Sequence, residues 1–100
     1  MKILLVCNAG MSSSILIEKI KIAAENKNES IEIKAASLQG LPQEKGNWDI
    51  CLCGPQISYA IDRIKETLGI PVLAVEPRTY ALADGEKALE MAEKLYSALK

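Results

Sequence analysis

The sequence contains no histidine among its 100 residues. Any mechanism that needs an imidazole base, an imidazole metal ligand or a phosphohistidine must therefore obtain it from another molecule. Phenylalanine is also absent and aromatic residues make up only 4% of the chain, which disfavours a pocket that stacks a flavin. The sequence therefore favours chemistry that needs neither an imidazole of this chain nor a stacked aromatic cofactor.

Charge excess and long apolar runs are missing as well. The formal net charge is −1, so the sequence indicates no basic surface for nucleic acid or anionic lipid. No apolar run approaches the ~20 residues that span a bilayer, and residues 2–6 are too few for a signal-peptide core. An odd number of cysteines, with Cys51 and Cys53 in one apolar run, indicates reduced thiols. We therefore expect a cytoplasmic protein that does not insert into the membrane.

Strand and helix patterns alternate along the chain. We predict strands over residues 2–6, 31–35, 49–53 and 72–75, and helices over 13–26, 57–68 and from Ala88 to Leu99. This alternation predicts an α/β fold with a single four-stranded parallel sheet and helices on both faces. The first and third strands are the most apolar and belong in the centre, which gives the order 2-1-3-4. In that order a crevice opens at the carboxyl ends of strands one and three.

Cys7 ends the first predicted strand, and a turn of small residues follows it before the first helix. The turn reads Cys7-Asn8-Ala9-Gly10-Met11-Ser12-Ser13-Ser14. Small residues let the backbone approach an anion, hydroxyls add donors, and the helix dipole stabilises a thiolate or a phosphate there. The stretch predicts anion chemistry at Cys7, although a buried cysteine followed by a serine-rich helix cap fits the same residues.

Cysteine phosphatases are the first alternative. The low-molecular-weight tyrosine phosphatases have a similar loop in a similar sheet, but an arginine follows their cysteine after five residues. Ser13 occupies that position here, and Asp84 is the only candidate for a distal acid. Without a guanidinium, stabilisation of the hydrolytic transition state is missing, so a phosphoryl group on Cys7 is expected to be passed on.

Other α/β proteins with a site at this edge fit less well. A receiver domain needs an aspartate at the end of strand three, where Gly54 stands. A thiol redox protein needs a resolving cysteine near the first, and Cys51 and Cys53 are predicted to be core residues on opposite faces of one strand. A flavodoxin-like module that binds a mononucleotide stays open, but its phosphate loop would need no thiol.

Three segments carry a resemblance to a known family. The Cys7 loop resembles the phosphocysteine loop of the IIB components of bacterial phosphotransferase systems, and that of the lactose/cellobiose (N,N′-diacetylchitobiose) class above all. Gly54-Pro55-Gln56-Ile57-Ser58-Tyr59 is similar to the Gly-Pro-Gln-Ile-x-Tyr turn of that class. Tyr80 followed by Asp84-Gly85 resembles the segment before its last helix. The resemblance covers the whole chain and implies one domain over residues 1–100, with a fold similar to the low-molecular-weight tyrosine phosphatases.

A phosphoryl relay is what this resemblance implies. Cys7 would accept a phosphoryl group from a phosphohistidine of the IIA partner and pass it to a sugar at the membrane component IIC. The sugar would be cellobiose-, chitobiose- or lactose-like and would meet the chain only at transfer. The resemblance thus implies a protein-phosphohistidine–sugar phosphotransferase with a phosphocysteine intermediate, acting as a monomer without a cofactor or metal.

Several residues receive roles from the same comparison. The residues expected to bind the phosphoryl group around Cys7 are Asn8, Ala9, Gly10, Met11, Ser12, Ser13 and Ser14. Gln56 and Tyr80 are candidates for the rim that meets the partners, although Gln56 equally fits a cap of the helix that follows. Met11 suits a docking surface because it is flexible and apolar, whereas Tyr59 is assigned to the structure.

Overall fold

The computed structural model of this protein describes residues 1–7 and 10–98, and the side chains of residues 1–7 and 14–98. The strands are β1 (Lys2–Val6), β2 (Glu32–Ala36), β3 (Ile50–Cys53) and β4 (Val72–Ala74). The α-helices are α1 (Gly10–Asn26), α2 (Leu41–Glu44), α3 (Ile61–Leu68), α4 (Pro77–Ala81) and α5 (Gly85–Ser97). Short 3-10 segments lie at Leu38–Gly40 and Pro55–Ala60. Within the described residues, no helix combines the length and apolar character that crossing a bilayer requires.

The four strands form one parallel sheet in the order β2-β1-β3-β4, as the sequence predicts. β1 and β3 are central, and their side chains are buried except that of Lys2. β2 lies at an edge and is only half-buried. Val6 pairs with Ala36 on one side and Cys53 on the other, so the carboxyl ends of three strands lie side by side.

Helices cover both faces of the sheet, which divides the core in two. The core on the side of α1 and α5 includes Ile3, Leu5, Leu16, Ile20, Ala23, Ala24, Ile50, Leu52, Ala88, Leu89 and Ala92. The core on the side of α2 and α3 includes Leu4, Val6, Leu41, Cys51, Cys53, Ile57, Ala60, Ile64, Leu68 and Val72. The prediction of opposite faces for Cys51 and Cys53 was wrong, because side chains two positions apart on a strand share a face.

Helix α1 begins at Gly10 rather than near Ser13. Glycine and serine have low helix propensity, which moves the predicted start later. The first turn tolerates them, because its N–H groups need no partner within the helix. The apolar stripe from Leu16 to Ala24 is buried as predicted.

The segment after β3 forms two elements where one helix was predicted. It runs as a 3-10 segment until Ala60 and then as α3, with the break at Ile57, whose φ is −120°. Ile57 is fully buried beneath this break, so packing of its side chain outweighs the regular helical path. Gly69 ends α3 at a φ of +68° and donates its N–H to the Lys65 carbonyl oxygen, as predicted for a glycine C-cap.

Helices α1 and α5 pack at very short range beside Gly85. A Cβ atom on Gly85 would overlap the backbone carbonyl of Lys19. The preceding Asp84 caps α5, since its Oδ1 accepts the Lys87 N–H at 3.1 Å. The Asp84-Gly85 pair therefore starts α5 and allows it to approach α1. Leu99, predicted to continue the apolar stripe of this helix, lies outside the described residues.

Gly85→Ala is expected to destabilise the protein by about 1–3 kcal/mol, because the added methyl group forces two packed helices apart. Gly40→Ala is the matched control: its φ is −87° and the atom nearest to an added Cβ is Ser37 Oγ at 3.7 Å. Urea unfolding of both variants measures the difference. Equal stabilities of the two variants would show that the α1–α5 contact does not depend on a glycine.

Candidate functional site

Cys7 lies directly after β1, at the carboxyl edge of the sheet. Its N–H donates to the Ala36 carbonyl oxygen at 3.0 Å, and the neighbouring Gly54 N–H donates to the Val6 carbonyl oxygen at 2.9 Å. Cys7 is therefore flanked by the segments that leave β2 and β3. The chain leaves β1 towards β2 and leaves β3 towards β4, which is the switch point at which open parallel sheets bind ligands.

The Cys7 side chain is buried at the end of β1 and, among the residues that the structure describes, is not grouped with either core cluster. It is 5% exposed and carries a free thiol. Helix α1 begins three residues later, so its positive end lies at the same edge. N–H groups of a first turn have no carbonyl partner within their helix, and here Gly10, Met11 and Ser12 provide them. This arrangement favours an anion beside the Cys7 sulfur.

The predicted phosphate loop is described only in part. The backbone of Gly10 to Ser13 belongs to the first turn of α1, and Ser14 follows in the same helix with an exposed side chain. Asn8 and Ala9 lie outside the described residues, as do the side chains of Met11, Ser12 and Ser13. The assignment of Met11 to partner contact and of the serine hydroxyls to phosphoryl binding stays a prediction.

Gly54 and Gln56 form the next wall of the crevice. Gly54 is buried beside Val6, and a Cβ atom there would lie 2.9 Å from Gln56 Oε1 and 3.6 Å from the Tyr80 ring. Gly54 also occupies the N-cap of the 3-10 segment. In the described part of the chain the Gln56 side chain forms no hydrogen bond, so its alternative role as a helix cap finds no support.

The exposure of the two tyrosines differs from what their expected roles suggest. Tyr80 lies in α4, is only 7% exposed and packs within the core beside α1 and α5. Tyr59 is 80% exposed and contributes little to the core. The role of Tyr80 in partner contact stays a prediction. Exposure of a tyrosine depends on tertiary packing, which sequence spacing alone does not reveal.

A groove beside the crevice was missed by sequence reasoning. It has a volume of about 490 Å³ and is lined by Pro55, Gln56, Pro77, Tyr80 and Ala81. One wall is α4, a short helix that the apolar pattern did not predict because it has only five residues. Its signal was Pro77, since proline is favoured in the first turn of a helix.

Asp84 does not support phosphatase chemistry. Its carboxylate caps α5, on the segment that packs against Lys19 of α1. A capping carboxylate is an acceptor held by a backbone N–H, whereas a phosphatase acid must donate a proton to the leaving group.

The other two thiols are set apart from Cys7 by their environment. Burial is the main cause that raises the pKa of Cys51, to about 12, with the nearby Cys53 adding to it. Burial also raises the pKa of Cys53. Both thiols are fully buried in the core on the α3 side. Protonated thiols are poor nucleophiles, so neither is suited to carry a phosphoryl group.

Comparison with known proteins gives one consistent family. Residues 2–91 match the family model described as PTS system, lactose/cellobiose specific IIB subunit. The chain is 35% identical over 97 residues to the oligo-beta-mannoside-specific EIIB component of Bacillus subtilis (strain 168), covering 94% of each chain. It is 33% identical over 103 residues to the cellobiose-specific EIIB component of Lactococcus lactis subsp. lactis (strain IL1403), covering 93% of this chain and 94% of the relative.

Solved structures agree with these sequence matches. The cellobiose-specific IIB component of Borrelia burgdorferi superposes with a TM-score of 0.81 at 33% identity, covering 98% of this chain and 93% of that one. The lactose-specific IIB domain of Streptococcus pneumoniae gives a TM-score of 0.80 at 21% identity, covering 96% of this chain and 97% of that one. The second likeness supports the fold alone.

Iodoacetamide at pH 8.5 is expected to leave Cys51 and Cys53 unmodified in the native protein, since both thiols are buried and protonated. In urea both should react, which peptide mapping by mass spectrometry measures. Modification of Cys51 in the native protein at the rate seen in urea would contradict the burial described here.

Proposed function

We propose that this chain, which belongs to the lactose/cellobiose-specific IIB family of the phosphotransferase system, carries its phosphoryl group on Cys7. The chain is a phosphoryl carrier of a sugar-uptake system, in keeping with that family. The observation that supports Cys7 is its position at the switch point of the sheet, before the first turn of α1. The other two thiols lie within the core.

The first transfer would bring the phosphoryl group from a phosphohistidine to Cys7. The thiolate sulfur attacks phosphorus, a P–S bond forms, the P–N bond breaks, and the imidazole leaves with its electron pair and takes up a proton. The chain has no histidine of its own, so the donor must be a separate protein, the phosphorylated IIA component. The N–H groups at the start of α1 would hold the phosphoryl oxygens, which is mainly positioning and charge stabilisation.

The second transfer would move the group to a sugar. A sugar hydroxyl oxygen attacks phosphorus, a P–O bond forms, the P–S bond breaks, and the thiolate is restored while the hydroxyl proton leaves to a base on the partner. The acceptor would be held by the membrane component IIC and would meet this chain only at transfer. The relatives are named for cellobiose, oligo-beta-mannoside and galactose, and the family description names lactose and cellobiose. These names support a cellobiose- or lactose-like sugar, and a chitobiose-like sugar stays a prediction.

Retention of the phosphoryl group is the main difference from a phosphatase. Ser13 stands where the phosphatases have arginine, and Asp84 is held in a helix cap. Without the guanidinium and a proton donor, attack by water gains little stabilisation. The role proposed here needs no cofactor or metal, and a cytoplasmic monomer of one domain over residues 1–100 is its simplest form.

The phosphate-binding set would comprise the loop and the first turn of α1: Asn8, Ala9, Gly10, Met11, Ser12, Ser13 and Ser14. Backbone N–H groups would supply most of the stabilisation, with the hydroxyls of Ser12 and Ser13 assisting. Gln56 is proposed for the rim beside Cys7. Tyr80 would act there by packing on Gly54, since its ring is buried.

Intact-mass analysis after incubation with a phosphorylated IIA protein of this system tests the assignment. Wild type should gain one phosphoryl group, Cys7→Ala should gain none, and the matched control Cys53→Ala should behave as wild type. The reason is that Cys7 lies at the end of β1 before the first turn of α1, whereas Cys51 and Cys53 lie within the core. Modification that persists in Cys7→Ala, or that maps to another residue, would refute the assignment.

A further inference from the structure

Gln56 is placed close to Cys7 by the backbone. The Gly54 N–H bonds to the carbonyl oxygen of Val6, the residue before Cys7, and neighbouring strands lie about 5 Å apart. The Gln56 side chain folds back over Gly54, since its Oε1 would lie 2.9 Å from a Cβ atom at that position. The amide group of Gln56 is therefore held over the residue that adjoins Cys7.

The space beside Gly54 is shared by Gln56 and Tyr80. The nearest atom of the Tyr80 ring would lie 3.6 Å from a Cβ atom on Gly54. Because Gly54 has no side chain, the Gln56 amide oxygen and the Tyr80 ring can both occupy this space. A larger residue at position 54 would displace the Gln56 side chain from this place.

The Gln56 amide is also available for a ligand. Its side chain is exposed, and in the described part of the chain it forms no hydrogen bond with another residue. An exposed amide with a free N–H donor can bind a ligand without first breaking a hydrogen bond within the protein.

We propose that the Gln56 side-chain amide donates a hydrogen bond to an oxygen of the phosphoryl group on Cys7. This inference rests on the proposed function. It adds a residue from the segment after β3 to a site otherwise formed by the segment after β1. A neutral donor suits a relay. It stabilises the dianionic group during both transfers, yet it does not hold the group as strongly as the guanidinium of a phosphatase would.

The test compares the isolated phosphoproteins of wild type, Gln56→Ala, Gln56→Glu and the control Ser58→Ala, all prepared with phosphorylated IIA. Ser58 is exposed in the same 3-10 segment. A donor favours the dianion and lowers the pKa of the phosphoryl group, while a nearby carboxylate raises it. The pH midpoint of the phosphorus NMR resonance should therefore rise in Gln56→Ala by about half a unit or more, rise further in Gln56→Glu, and stay unchanged in Ser58→Ala.

Transfer from IIA to Gln56→Ala should also slow by about tenfold, the usual effect of one hydrogen bond to a charged group. Midpoints and rates equal to wild type in both Gln56 variants would overturn the role of Gln56 while leaving Cys7 as the carrier. Absence of any phosphoryl group on wild-type Cys7 would overturn both proposals. A merely structural role of Gln56 would change thermal stability without moving the midpoint.

Discussion

The hydrogen bond from the Gly54 N–H to the Val6 carbonyl oxygen joins the ends of the two central strands at 2.9 Å. Everything at the candidate site depends on this pairing. It sets Cys7 beside the turn that follows β3. It also fixes the point at which the connection from β1 to β2 and the connection from β3 to β4 leave the sheet in opposite directions. One residue earlier, Val6 lies in the core on the side of α2 and α3, so a thiol at that position would be buried among apolar side chains.

Chemistry at this edge follows from how the three thiols are distributed. Two of them lie within the apolar core, where burial raises their pKa values, and one lies at the strand end before a helix of 17 residues. The positive end of that helix stabilises an anion at its first turn. Under the proposed function, the position of Cys7 at the strand end distinguishes it from the two core cysteines without the help of another side chain.

Close packing between α5 and α1 holds α1 in place, on the face of the sheet opposite to Cys51 and Cys53. Gly85 allows α5 to approach the backbone of α1 at Lys19, and Asp84 caps α5. The Tyr80 ring extends the same core towards Gly54. The segment from Tyr80 to Gly85 thus supports the crevice through packing, and the Asp84 carboxylate in it caps α5.

The strand order could be predicted from the sequence because β1 and β3 are uniformly apolar and β2 is not. Central strands are covered on both faces and need apolar side chains throughout, whereas an edge strand does not. It also placed Cys7 at the crevice, since a strand end followed by small residues is a local pattern. It failed where tertiary packing decides. The exposure of Tyr59, the burial of Tyr80, the break at Ile57 and the short helix α4 all depend on neighbours that are distant in the chain. The common face of Cys51 and Cys53 was accessible from strand periodicity and was misjudged.

Backbone amide NMR of the protein with and without the phosphoryl group shows whether the first turn of α1 binds that group. Phosphorylation is expected to shift the N–H resonances of Gly10, Met11 and Ser12 downfield, since those groups would donate to the phosphoryl oxygens. Amides at the start of α5, from Gly85 onward, should stay unchanged. Unmoved resonances in the first turn of α1, or shifts concentrated at α5, would contradict the account.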